Sequence, residues 1–451
     1  MVLTATIAAA FFVAVLAASG LASAQSSTTG TTFTVNSTAD PGEGLCQQPS
    51  DLFPFRNCTL REAINAANSN GNPTETDFIK FSIPGNGPHT ISPTSELPSI
   101  TQPVIIDGYT QGDSTTTADD DAKENTLNEG TNAVLKIELN GANMVEGNGF
   151  TITGGGTTIR GLVINRFKEE DTATLDGCGI FLPNLAANTN NVIEGNFIGT
   201  DVSGTQKLGN ESPGVCSFGQ SINNLIGGTT LASRNLLSGN GRDGVAIDSS
   251  QNTVQGNLIG TDKGGTQNLG NGSSGVEVAG SGNLVTDNTI AFNASDGVTV
   301  FFDTSTGNRI LKNSIFDNVE QGIDLNDDGV TKNDAMDVDT GPNDLQNYPV
   351  FGRRGVKTSS SGTTTIKGKL NSTPNTTFTV QFFSNPLDSK EEGKTFIGEK
   401  TDVTTDGSGN ATFIFKPTQA VPVGQFVTAT ATDPSGDTSE FSTPRKVLKS
   451  S

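Results

Sequence analysis

Tryptophan is absent from the 451 residues, and the chain carries one histidine, two tyrosines, three methionines and four cysteines. With a single histidine, His89, and no CxxC pair, the usual ligand sets for zinc are missing. His89 follows a Gly/Pro-rich turn and reads as a turn residue. Only 17% of residues are charged, and lysine plus arginine number 27 against 48 acidic residues, a net charge of −21. Such a surface repels nucleic acid and anionic membranes unless a cation intervenes. Beyond the N-terminus no run is apolar and long enough to cross a bilayer. What the chain has in quantity is glycine, 54 residues of it, a profile of a turn-rich β protein and not of a disordered one.

The acidity is uneven. Residues 1–351 hold 15 basic and 39 acidic side chains, and the remainder 12 and 9, so the first part stands at −24 and the second at +3. Residues 5–22 are mostly apolar and end at Ala22-Ser23-Ala24, the pattern of a secretory signal peptide over residues 1–24. No Lys or Arg precedes the run, so an uncleaved anchor is the alternative. A secreted or cell-surface location follows, with no membrane span in the mature chain. Four cysteines suit an oxidising compartment. Cys46 and Cys58 close a short loop and are expected to pair. Cys178 and Cys216 lie on neighbouring repeats, offset along the strand, and their pairing is left open.

From Gly179 to Leu325 one phrase recurs. Its first line opens on Gly179, Gly214, Gly244, Gly275, Gly297 and Gly322, at spacings of 35, 30, 31, 22 and 25 residues. A second opens on Asn191, Asn224, Asn252, Asn283 and Asn308, and a third on Asn196, Asn235, Asn257, Asn288 and Asn313. Each line continues with Val, Ile or Leu at alternate positions. Three short strands per repeat cannot close a domain alone, so repeats must stack, inward apolar residues forming one core. This predicts a parallel β-helix, with corner Gly and Asn tolerating left-handed backbone and aligned Asn side chains bonded from rung to rung.

The parts around the block follow. Thr59 with Glu62 makes a capping box, and Leu60, Ile64 and Ala67 share a face, predicting a short helix that covers the open first rung. The expected β-helix domain spans 25–351, its N-terminal cap about 32–76 and its regular repeats 179–325. A linker over 352–362 and an antiparallel β-sandwich of immunoglobulin-like type over 363–448 complete the chain. The segment Thr110–Gly130 reads as a solvated polar loop.

The run CTLREAINAAN after FTVNSTAD resembles the CSLREA-type motif of bacterial exported proteins, and NVIEGNFIGTD, RNLLSGNG and GIDLNDDGV resemble the repeats that follow it in them. The resemblance covers most of residues 32–351 and implies an all-β, right-handed parallel β-helix of the pectin-lyase type. It transfers architecture more than chemistry. Polygalacturonase-type enzymes of that fold carry NTD, paired-Asp, Gly-His-Gly and Arg-Ile-Lys signatures, and here the only histidine is remote and Arg309-Ile310-Leu311-Lys312 is spaced differently.

The sequence supplies few candidates for chemistry. The outward first-line positions are Phe181, Cys216, Ala246, Glu277, Thr299 and Asp324, so Glu277 and Asp324 stand two rungs, roughly 10 Å, apart. That is at or beyond the reach of an inverting carboxylate pair. Arg309 and Lys312, the basic candidates, fall on the second line. The segment Asp324-Leu325-Asn326-Asp327-Asp328-Gly329 matches the first half of an EF-hand-like loop, but Ala335 stands where the twelfth-position Glu belongs. Calcium ligands are therefore expected from Asp324, Asn326 and Asp328, joined by Asp334, Asp337 and Asp339, in a structural role. The expected function is non-catalytic binding of polysaccharide or another cell-surface component. A calcium-dependent polysaccharide lyase or glycoside hydrolase is the alternative.

Overall fold

The computed structural model describes residues 30–40, 46, 57–71, 75–112, 121–170, 176–386 and 390–450. The expected signal peptide and residues 113–120 of the polar loop lie outside them. Strands stack into three parallel sheets of nine, eight and seven strands, followed by two sheets of four. Each rung visits the three sheets in turn, as in Thr253–Gln255, Leu258–Ile259 and Val276–Val278. The second, third and first lines of the repeat supply the nine-, eight- and seven-stranded sheets respectively. Inward residues such as Ile226, Val254, Ile259, Val278 and Val298 are fully buried in one continuous core.

At the front, Thr59 accepts from the Glu62 N–H while the Glu62 carboxylate accepts from the Thr59 N–H, and the helix Leu60–Ser69 begins there. Leu60, Ala63, Ile64 and Ala67 join the core beside Val35 and Phe81. The Cys46–Cys58 bridge forms, with Cα atoms 4.6 Å apart. Cys178 and Cys216 are also bridged, at 6.3 Å, so the offset between them is spanned by the side chains.

The run Thr157–Ile164 supplies two strands: Thr158–Arg160 belongs to the nine-stranded sheet and Leu162–Asn165 to the eight-stranded one, with Gly161 at φ +73° making the corner. One expectation changes in the details: the corner asparagines are not the left-handed residues. That conformation falls on the residue before them: Asn190, Asn223 and Gln251 precede the second-line asparagines, and Asp287 and Lys312 precede third-line ones. A non-glycine residue there costs about 1–2 kcal/mol. The buried asparagine that follows each corner supplies the compensating hydrogen bonds. First-line glycines serve close approach instead, since a Cβ on Gly275 would lie 2.7 Å from the Gly297 carbonyl and 2.3 Å from Ile290 Cγ2.

The asparagine ladders are regular. Each N–H donates to the Oδ1 of the next rung's asparagine, in the series Asn191, Asn224, Asn252, Asn283, Asn308, and the series ends on Asn343, beyond the repeat. The third-line series runs the same way from Asn196 to Asn313. A further ladder, not anticipated, runs through Asn210, Asn240, Asn271, Asn293 and Asn318.

Residues 352–362, expected as linker, are largely strand: Val350–Thr358 pairs with Thr364–Asn371 and opens the second domain. The reason is that Phe351 and Val356 are needed in its core. Ser439–Ser442 runs beside Phe426–Thr432 without forming a regular strand. There Ser439 and Ser442 hydroxyls accept the Ala431 and Ala429 N–H groups in place of a regular ladder. The two four-stranded sheets share a core that includes Ile366, Phe382, Phe413 and Val427. Their outer order defines a sandwich built mostly of antiparallel pairs.

This sandwich closes the open end of the β-helix. Its Phe383 and Phe441 enter the β-helix core. Glu392 accepts from the N–H groups of Asp317 and Asn318, Glu440 from Leu325 and Thr331, Asp437 from Gly307, and Gln381 from Lys312. Burial pushes the Glu440 carboxyl up to about 8, although two N–H donors oppose it. Burial likewise raises Asp437 to about 6 against the Gly307 N–H.

Two outcomes are expected. Asn257→Ala removes acceptors or donors for Asn235, Ile226 and Asn288 and should lower stability by about 2–3 kcal/mol, read as a shifted urea midpoint. An unchanged midpoint would remove the ladders from the account. The folded Glu440 carboxyl titrates above its ordinary value. Its contribution to docking is therefore full below about pH 4.5 and is lost as pH rises through about 8. Glu440→Gln turns one of the two accepting oxygens into a donor, so it should lower the melting temperature at pH 5, and the deficit relative to the parent should shrink or reverse at pH 8.5.

Candidate functional site

The seven-stranded sheet presents the outer face that the sequence pointed to. Its central outward positions are in register as Phe181, Cys216, Ala246, Glu277, Thr299 and Asp324. Glu277 and Asp324 thus share a column with Thr299 between them, and the structure does not make them a pair. Asp324 is committed to its own turn: it accepts from the N–H groups of Asp328 and Gly329 and from Gln321 Nε2 at 2.7 Å.

The neighbour that matters for Glu277 is Asp248. It lies two residues along from Ala246, opposite Phe218, on the same outward side of the adjacent rung. Reading the strand Val245–Ser249 two positions further would have found it. These groups line a cleft of about 280 Å³ with Asp243, Arg242, Ser273, Phe218 and the Cys178–Cys216 bridge. Phe181 meets Phe218 edge-on, centroids 5.9 Å apart, at its side.

The cleft's carboxyl groups differ in commitment. Asp243 is buried and accepts from the Ser274 N–H, a corner role. Burial still raises it to about 6. Glu277 accepts no hydrogen bond among the described residues. Burial, with the charges of Asp243, Asp248 and Asp327 adding to it, pushes Glu277 up to about 8. Asp248 is raised by burial too, and its Oδ1 is enclosed without a partner. The cation beside them, Arg242, is held 2.9 Å from Glu169. Near neutral pH the arrangement offers a carboxylic acid that can donate at Glu277 and a carboxyl oxygen that can accept at Asp248. It has no free base of the Lys or Arg type. Further along the face, Asp296 is buried, bonded to the Gln321 N–H and raised to about 6 by burial.

Arg309 and Lys312 are brought elsewhere. Arg309 reaches the Pro434 carbonyl at 3.4 Å, and Lys312 Nζ lies 3.7 Å from Glu399 and 5.8 Å above the Phe396 ring. Both belong to the junction with the sandwich, because the second line of the repeat builds a different sheet.

The six expected calcium ligands do not converge as a set. Asp334, Asp337 and Asp339 bring carboxylate oxygens within 4.8 Å of one another, whereas Asp324 and Asp328 lie outside that group. Asn326 donates to Asp328 at 3.1 Å. Asp337 accepts from Gln346 and the Asn347 N–H and from the Ser372 hydroxyl, and burial raises it to about 7. Asp339 Oδ1 is enclosed and unpartnered. Because Ser372 and Asn371 come from the sandwich, this trio sits where the two domains join.

A family model described as the right-handed β-helix region matches residues 214–369. The match runs from the second first-line glycine past the last rung into the first two strands of the sandwich. No curated protein matches the chain. The three stacked parallel sheets have a β-helix-like architecture, and within them residues 214–369 are similar to the right-handed β-helix region. No helix among the described residues is long and apolar enough to cross a membrane.

The cleft yields a direct expectation. Carbon-13 NMR of labelled protein should show the Glu277 carboxyl titrating near pH 8, with the resonance absent in Glu277→Gln. A midpoint near 4.5 would mean that the carboxyl is solvated and the cleft open.

Proposed function

We propose that this is an exported, CSLREA-type β-helix protein that binds neutral glycan in the cleft beside the Cys178–Cys216 bridge. The observation that carries the reading is the pair of carboxyl groups, Glu277 and Asp248, left without hydrogen-bond commitments next to an aromatic face. Sugar rings offer apolar C–H faces to an aromatic and hydroxyls to a mixed donor and acceptor pair. Phe218 supplies the first, protonated Glu277 and Asp248 the second. Uronate polymers suit the cleft poorly, because their carboxylates would meet Asp243, Asp248 and Glu277. That argues against a pectate-lyase-like activity there.

Glycoside hydrolysis is the second reading, favoured by the separation of the two carboxyl environments. A protonated acid beside a less perturbed carboxylate is the division of labour such hydrolysis needs. In this reading Glu277 protonates the leaving oxygen, and Asp248 assists water or the sugar carbon.

Calcium enters the proposal as a fastener. Asp334, Asp337 and Asp339 would hold it through carboxylate oxygens, relieving their mutual repulsion at the junction.

Purified protein assayed against neutral oligosaccharides, by calorimetry and for new reducing ends, tests the reading. Binding that falls at least tenfold in Asp248→Asn and Glu277→Ala, without product, supports the binding function. Product formation abolished by Glu277→Gln shifts the reading to hydrolysis, and no binding by any neutral glycan overturns both. Added chelator should lower the melting temperature if calcium fastens the junction.

A further inference from the structure

The residues after 351 carry a net charge opposite to that of the β-helix, 12 basic against 9 acidic side chains. Its Glu392, Asp437 and Glu440 are buried against the last rung of the β-helix. The other sheet, formed by Val350–Thr358, Thr364–Asn371, Asn410–Phe415 and Leu448–Lys449, contains cations and no Asp or Glu. A bulge between Phe351 and Val356 breaks the pairing of the first two strands, and Arg354 within it is exposed. Gly355 is required at that bulge, since a Cβ would lie 2.5 Å from the Lys367 carbonyl. The turn Ser359–Thr363, closed by N–H to carbonyl bonds in both directions, forms the opposite wall.

Between these walls lies a cleft of about 300 Å³ lined by Arg354, Lys357, Lys367, Ser359, Thr365 and Ser450, among others. Among the described residues none of the three cations makes an ion pair, unlike Lys400 of the same domain, which pairs with Asp402. Three unpaired cations converging on one concave, hydroxyl-lined surface oppose one another unless an anion joins them.

We propose that this cleft binds an acidic glycan, one whose sugar rings carry carboxylate or sulfate groups. Arg354, Lys357 and Lys367 meet the anionic groups, and the hydroxyls of Ser359, Thr365 and Ser450 bond the ring hydroxyls. Nucleic acid is the poorer match, because no aromatic side chain lines the cleft to stack a base. This site is independent of the β-helix cleft, so either can fail alone.

The test is affinity electrophoresis of the full chain in gels containing polygalacturonate, dextran sulfate or neutral dextran, at low and at 0.3 M salt. Retardation by one or both acidic polymers, absent with dextran and weakened by salt, is expected. The two acidic arms separate carboxylate from sulfate recognition. The triple variant Arg354→Gln, Lys357→Gln, Lys367→Gln should lose at least tenfold in affinity with an unchanged melting temperature, and Lys367→Glu alone should show a smaller loss. Glu277→Gln should leave the retardation intact. The proposal is overturned by no retardation in either acidic polymer, by equal affinity in the variants, by single-stranded DNA binding as tightly as the glycans, or by a triple variant that changes only self-association.

Discussion

Everything in this molecule depends on satisfying the backbone at the corners and ends of a stack of short parallel strands. Two- and three-residue strands leave corner N–H groups buried, and each unsatisfied one would cost about 1–3 kcal/mol. Asparagine ladders meet that demand inside the stack, with side chains that accept from one rung and donate to the next. The same demand at the last rung has no further rung to answer it. The sandwich answers it with carboxylates, so Glu392 stands where the next asparagine of the Asn210 series would be. Asn343, in a left-handed conformation, closes the Asn191 series in the same way.

This constraint sorts the acidic residues into two kinds. Asp243, Asp296, Asp324, Glu392 and Glu440 accept backbone N–H groups and build the stack. Asp248 and Glu277 do not, and they face the cleft beside Phe218. The five acidic groups that accept backbone N–H groups are thus architectural. In the sandwich, Glu392, Asp437 and Glu440 meet the last rung, while the strands Val350–Thr358 and Thr364–Asn371 carry cations and no acid.

The repeat was legible because its period and residue types follow from stacking itself. The glycine lines, two asparagine lines and the inward Val, Ile and Leu all land where the pattern places them. The helix at Leu60 was equally clear, because capping is local chemistry. The Asn210 series was legible too but overlooked: Asn210, Asn240, Asn271, Asn293 and Asn318 each stand four residues before a first-line glycine, while their distance from the third line varies with the insertions. The site was less legible. Glu277 and Asp324 fall in one column as the spacing requires, but only the hydrogen bonds show that Asp324 is spent on its turn and that Asp248 is not. Arg309 and Lys312 could not be assigned to a domain junction before the sandwich was placed. Nor could the strand Val350–Thr358 be separated from a linker by composition, since a bulge rich in glycine and arginine interrupts it.

The most direct measurement is carboxyl footprinting of the intact protein with a carbodiimide and an amine at pH 7, read by mass spectrometry. The account predicts labelling of Asp248 and Glu277 that exceeds that of Asp296, Glu392 and Glu440 and is suppressed by a bound oligosaccharide. Uniform labelling of both groups, or protection of Asp248 and Glu277 with labelling of Glu392 and Glu440, would contradict it.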